Sequence, residues 1–178
     1  MAEIVNLNDF RDRALEKKAF GSWRNRFKET FGRDIRLSDL SPRTLYVLAV
    51  PGEAGTAAFY DLIMGVLDKG GADDFPQLGQ RDQMRVMDIH LFLADQVRFE
   101  MMRRLGWIGL YPLGECAVLE MVRSFEKTFQ FSAANPPKLA SSHSEYEAYL
   151  KLHPRDQESL IRRMLPGALE IFRKRIGG

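Results

Sequence analysis

The chain has 178 residues, 45% apolar and 28% charged, with 26 Lys and Arg against 24 Asp and Glu. A chain of this length hides roughly 70% of its unfolded surface on folding, so neither disulfides nor a metal are needed to hold one ordinary domain. The composition is too apolar for intrinsic disorder. Its longest purely apolar run, Leu45 to Val50, is far short of the ~20 residues that cross a bilayer, and a formal charge of +2 lacks the basic excess usual in nucleic-acid or anionic-membrane proteins.

The dominant period is helical. Asn8 or Asp9 can cap a first helix running through Phe10, Ala14 and Leu15, with a kink at Gly21-Ser22 and a stop at Gly32 after Trp23, Phe27 and Phe31. Ser41-Pro42 is a strong start signal, a capping hydroxyl followed by a proline whose missing N–H costs nothing there, and Pro51-Gly52 ends that helix. Another is predicted over 53–68, with Phe59, Ile63, Val66 and Leu67 inward, then a Gly- and acid-rich loop over 70–80. The longest helix spans about 81–105, with no Gly or Pro and more than half its positions apolar, a pattern expected of a helix wrapped by others. After the apolar connection 107–114, Val118, Met121, Val122, Phe125 and Phe129 mark a further helix. The stretch 133–142 reads as loop, Ser144 and Glu147 as a capping box, and the stripe Ile161 to Ile176 as a last helix broken at Pro166-Gly167. The expected fold is all-α, one domain over 1–178 with about six to eight helices around the long central one. Thr44 to Thr56 also permits a strand, a glycine loop and a helix of the phosphate-cradling kind, although neither P-loop nor dinucleotide spacing is present.

Projection of the 81–105 helix groups Val86, Met87, His90, Leu93, Ala94, Val97 and Met101 on one apolar face. Arg81, Arg85, Asp88, Asp95, Gln96 and Arg103 fall opposite, with Glu100 at the margin. His90, held neutral among apolar neighbours, is a candidate base or ligand, and Asp88, Asp95 and Glu100 are the acids that could act with it. A core histidine with a satisfied ring is the commoner outcome. No Cys and His set has zinc spacing, so no metal or other cofactor is expected. Cys116 sits near a predicted helix start, where a thiol is activated, beside Glu115, which opposes that; a small buried residue is the plainer reading.

Arg24, Arg26 and Lys28 alternate with Trp23 and Phe27, and Arg173, Lys174 and Arg175 close the last helix, so these six bases are the candidate nucleic-acid contacts. Their alternative role is a solvated helix face and a complement to the helix dipole. Trp107, Ile108, Leu110 and Tyr111 belong to an apolar run that a loop would not normally expose unless it is packed or docked, which makes them candidate docking residues. Met1 to Phe10 carries an acid and no apolar core, so no secretory signal is read there, and a cytoplasmic location is expected. A non-catalytic protein-binding or self-associating module is the first functional expectation. A nucleic-acid-associated protein and a small-molecule or enzymatic protein with a pocket near His90 are the alternatives. The small net charge conceals an uneven distribution. Basic residues outnumber acidic ones nine to six over 1–36 and eight to five over 138–178, whereas acids lead six to two over 37–80.

Overall fold

The computed structural model describes residues 7–109 and 111–177, which form nine α-helices and no strand. These are α1 (Leu7–Phe27), α2 (Pro42–Ala49), α3 (Glu53–Val66), α4 (Gln80–Arg104), α5 (Val118–Arg123), α6 (Phe125–Ala134), α7 (Tyr146–Leu150), α8 (Pro154–Arg163) and α9 (Leu165–Gly177). The all-α expectation is met. The count exceeds six to eight because Ser124, at φ −112° and ψ 44°, breaks the stretch after Val118 in two. In addition, the break near Pro166 falls two residues early, at Met164, leaving the proline in the first turn of α9, where it is tolerated.

Helix α2 begins as its sequence dictates: Ser41 Oγ accepts from the Thr44 N–H at 3.2 Å, with Pro42 next. The residues 44–49 are therefore helix, and the phosphate-loop alternative is overturned. Gly55 has a packing role instead, since a Cβ there would lie 2.7 Å from the Val47 carbonyl oxygen. Helix α1 passes through Gly21 without a break and ends at Lys28, whose φ of 57° is left-handed. That turn brings Phe31 back onto Phe20 and Trp23, with ring centroids 5.6 and 5.4 Å away, so the helix stops before Gly32. The buried part of α1 lies near its C-terminal end, at Ala19, Phe20 and Trp23, and the Trp23 indole donates to the Ala58 carbonyl at 2.7 Å.

One apolar cluster joins the helices, with Leu62, Ile63 and Met64 of α3 against Ile89, Leu93 and Met101 of α4 in its fully buried part. No helix among the described residues is long and apolar enough to cross a membrane. Helix α4 is covered over most of its second half, which corrects the face assignment. Gln96 and Glu100 are buried, while Met84 and Met87 are exposed. Glu100 is tolerated inside because the Arg103 guanidinium donates to both its carboxylate oxygens at 2.7 and 2.8 Å and Arg104 Nε donates at 2.9 Å. Arg104 extends the network to the Leu37 and Leu40 carbonyls, tying α4 to the turn before α2.

Part of the uneven charge is paired within the molecule. Lys18 reaches Asp68 at 2.6 Å, Arg26 reaches Asp61 at 3.8 Å, and the Ser22 hydroxyl donates to Asp61 at 2.6 Å, so the basic N-terminal helix rests on the acidic segment that includes α3.

Candidate functional site

One stripe of α4 runs from exposed positions into the core. Asp88, Leu91, Phe92, Asp95, Gln96 and Phe99 recur at helical spacing and form one wall of a cleft of about 720 Å³. The facing wall comes from Phe125, Phe129 and Ser132 of α6, the Pro136-Pro137 loop, Tyr149 of α7 and the first two turns of α8. This second wall depends on tertiary packing between segments that no local pattern connects.

Exposure falls from lip to floor. Leu91 and Phe129 are 62% and 51% exposed, Phe92 and Phe99 6% and 7%, and Gln96 2%. The Phe92, Phe125 and Phe129 rings form a triangle with centroids 5.6 to 5.9 Å apart, mostly edge to face. One turn after Phe92, the Gln96 amide donates from Nε2 to Ser132 Oγ at 3.3 Å, while its Oε1 is buried with no hydrogen-bond partner among the described residues. Such an acceptor costs free energy that an apolar residue would not.

The rim is charged on both sides. Arg162 of α8 donates to Asp95 of α4 at 2.9 Å and to Glu158 at 3.2 Å; the hydrogen bond to Asp95 is the main reason its guanidinium holds its proton more tightly than usual. Asp88 is exposed and has no ion pair among the described residues. A shallower hollow shares Asp88 and Phe125 with the cleft and continues it to Met84.

The candidate catalytic residues do not converge. Asp88 and Asp95 both line the cleft but stand two helical turns apart, roughly 10 Å along the axis, and Asp95 is engaged by Arg162. Glu100 is buried in its arginine network. His90 is half-buried between Phe59 and Tyr60, at centroid distances of 5.3 and 5.2 Å, and lines neither hollow. Burial first, then the charge of Arg98, lowers its pKa, so it is neutral at pH 7. Ser132 has no histidine beside it in the cleft. No three His, Cys, Asp or Glu side chains converge among the described residues.

The other candidates are dispersed. Arg24 donates to Glu16 at 3.2 Å and to the Phe31 carbonyl at 2.9 Å, Arg26 lies beside Asp61, and Lys28 is the exposed left-handed residue ending α1. Arg173, Lys174 and Arg175 are exposed on the last turns of α9, with Lys174 paired to Glu170 at 3.0 Å. Of the candidate docking residues, Ile108 and Tyr111 are core. Both are packed inward rather than presented to a partner: the Tyr111 hydroxyl donates to the Gln96 carbonyl at 3.1 Å, and Ile108 pairs with Leu139. Trp107 is half-buried against His143 at 5.3 Å, and Leu110 lies outside the described residues. Cys116 is half-buried, its thiol pushed up by burial and by Glu120.

Sequence reasoning placed Asp88 and Asp95 but missed Gln96, Phe129 and Arg162 as parts of one site. The available signal was an amide within the otherwise aromatic stripe Phe92, Gln96, Phe99. No protein-family model, curated protein or solved structure matches the chain.

Proposed function

We propose that the protein is a non-catalytic, cytoplasmic binding module that receives an apolar segment of a protein partner in the cleft between α4 and the α6–α8 wall. The observation that carries this reading is the pair of exposed lips, Leu91 and Phe129, above an aromatic floor, extended along α4 by exposed Met84. Single exposed apolar residues are ordinary. Three along one groove match the way a helix or strand is received by its anchor side chains, and methionine adapts readily to a guest surface. The cytoplasmic assignment is supported by a single, disulfide-free cysteine.

The test is selection from a random peptide library displayed on phage, run in parallel on the wild-type chain and on the Leu91→Lys, Phe129→Lys double variant. Both substitutions are at exposed positions, so the variant is expected to keep the wild-type unfolding midpoint. Apolar peptides enriched on the wild type are expected to lose about tenfold or more in affinity on the variant. Absence of enrichment, or equal binding to both proteins, rejects the cleft as the docking site. Light scattering on the wild type shows whether a second copy competes for the same surface.

A further inference from the structure

The leading turns of α1, Leu7 to Lys18, contribute no buried side chain, so core packing does not dictate what they carry outward. Leu7 and Phe10 are nonetheless the most exposed large apolar side chains among the described residues. Counted at about 100° per residue, Leu7, Phe10, Arg11, Ala14, Lys17 and Lys18 share one arc of about 120°, with Arg13 at its edge. All of them are exposed. Asp12 and Glu16 lie on the other side of the helix and are already engaged, Asp12 by Arg33 at 3.7 Å and Arg123 at 3.5 Å, Glu16 by Arg24 at 3.2 Å. Lys18 is held by Asp68, whereas Arg11, Arg13 and Lys17 have no ion pair among the described residues. Exposed Asp9 lies outside the arc and offsets only one of these three charges. A near-neutral chain thus carries a face on which apolar side chains and unpaired cations are interleaved.

That mixture selects its ligand. Cations alone would suit a phosphodiester backbone, against which leucine and phenylalanine gain nothing. Apolar side chains alone would suit a greasy groove, in which the cations would be desolvated without partners. Only one side of this helix is free, because Arg33 and Arg123 tie the other to the fold, and one free side suits a plane better than an enclosing groove. A bilayer with anionic headgroups satisfies both kinds of side chain: apolar groups settle at the acyl boundary, and Arg and Lys stems run along the interface to the headgroup charges.

We propose that the outward face of α1 lies on an anionic lipid bilayer, with Leu7 and Phe10 seated below the headgroups and Arg11, Arg13 and Lys17 among them. Two apolar anchors and three cations give reversible adsorption to the surface. None of these residues lines the cleft, so the proposal stands apart from the docking reading and neither falls with the other.

The experiment is co-sedimentation of the intact chain with vesicles of phosphatidylserine and phosphatidylcholine, and with vesicles of phosphatidylcholine alone. Binding to the anionic vesicles and not to the neutral ones is expected, weakening as salt rises. Leu7→Ser with Phe10→Ser should weaken it by about tenfold or more, and Arg11→Gln, Arg13→Gln and Lys17→Gln together by about fivefold per cation. All five positions are exposed, so both variants are expected to keep the wild-type unfolding midpoint. In Phe10→Trp the added indole emission should move to shorter wavelength on the anionic vesicles and be quenched by lipids brominated in their acyl chains. No binding to anionic vesicles at low salt overturns the proposal. So does binding that the Leu7, Phe10 variant retains in full, which is charge adsorption without apolar contact. Should a DNA duplex strip the chain from the vesicles and lose its own hold when the three cations are replaced, the face belongs to nucleic acid and the proposal falls.

Discussion

Gly65 of α3 lies so close to Lys18 of α1 that a Cβ on it would sit 2.9 Å from the Lys18 carbonyl oxygen and 3.0 Å from the Ala19 Cα. Both obstacles are backbone, so neither yields without separating the helices. Gly65→Ala is expected to destabilise the fold by roughly 1–3 kcal/mol, despite the better helix propensity of alanine. Gly21→Ala is the control. It lies inside α1 with nothing within 4 Å of the added carbon, and a gain of about 0.5–1 kcal/mol is expected. Urea unfolding midpoints of the two variants should move in opposite directions.

Burial opposes the charge on Glu100, but the hydrogen bonds and charges of Arg103 and Arg104 together outweigh it and hold its carboxyl below the usual value of 4.5. A carboxylate whose folded-state pKa is lowered stabilises the fold fully above its unfolded value and loses that contribution as pH falls through the folded one. Glu100→Gln should cost on the order of 3 kcal/mol at pH 7, because it strands two arginines. The gap between variant and wild type should close progressively as pH drops below about 4.5. Denaturant midpoints measured between pH 3 and 7 check this, and a gap independent of pH would refute it.

His90 gives a separate acid dependence. Its folded pKa is lowered, first by burial and then by Arg98, from the usual 6.5. The neutral ring is therefore favoured by folding, and its contribution is complete above pH 6.5 and lost as pH falls through the lowered value. His90→Phe, which keeps a ring between Phe59 and Tyr60, should lack this loss. Comparison of the two stability profiles between pH 5 and 7, with a proton titration of the His90 ring, is the measurement.

The Cys116 thiol, raised by burial and by Glu120, is protonated at neutral pH in the folded protein. Alkylation by iodoacetamide at pH 7.5 is expected to be about tenfold or more slower in the native chain than in urea, where the thiol returns to its ordinary acidity. Equal rates would mean that the thiol is neither shielded nor shifted.

What could be read from the sequence was local. Ser41-Pro42 dictates the start of α2 through one hydroxyl and one missing N–H, and the absence of Gly and Pro between Arg81 and Leu105 marks α4 to within a residue at each end. Tertiary effects were not legible in the same way. Nothing around Lys28 announces a left-handed residue; the turn exists because Phe31 has a place against Phe20 and Trp23. Helical periodicity put Met87 inside and Gln96 outside, whereas packing reversed both, since the neighbours that cover α4 come from segments distant in sequence. The cleft was hidden for the same reason. Asp88 and Asp95 were visible as a stripe, but the Phe129 and Arg162 that oppose them lie 34 or more residues further along the chain.

The uneven anchorage of α1 has a consequence for how the molecule opens. Its buried side chains begin only at Ala19, and its first turns carry Leu7 and Phe10 at 71% and 65% exposure. Amide hydrogen exchange should therefore be graded along this one helix, fast near Leu7 and slow beyond Ala19, where the indole of Trp23 is fixed to Ala58. The leading turns can unwind and re-form while the rest of the fold stays closed, and a protease added to the native protein should trim them without lowering the stability of what remains.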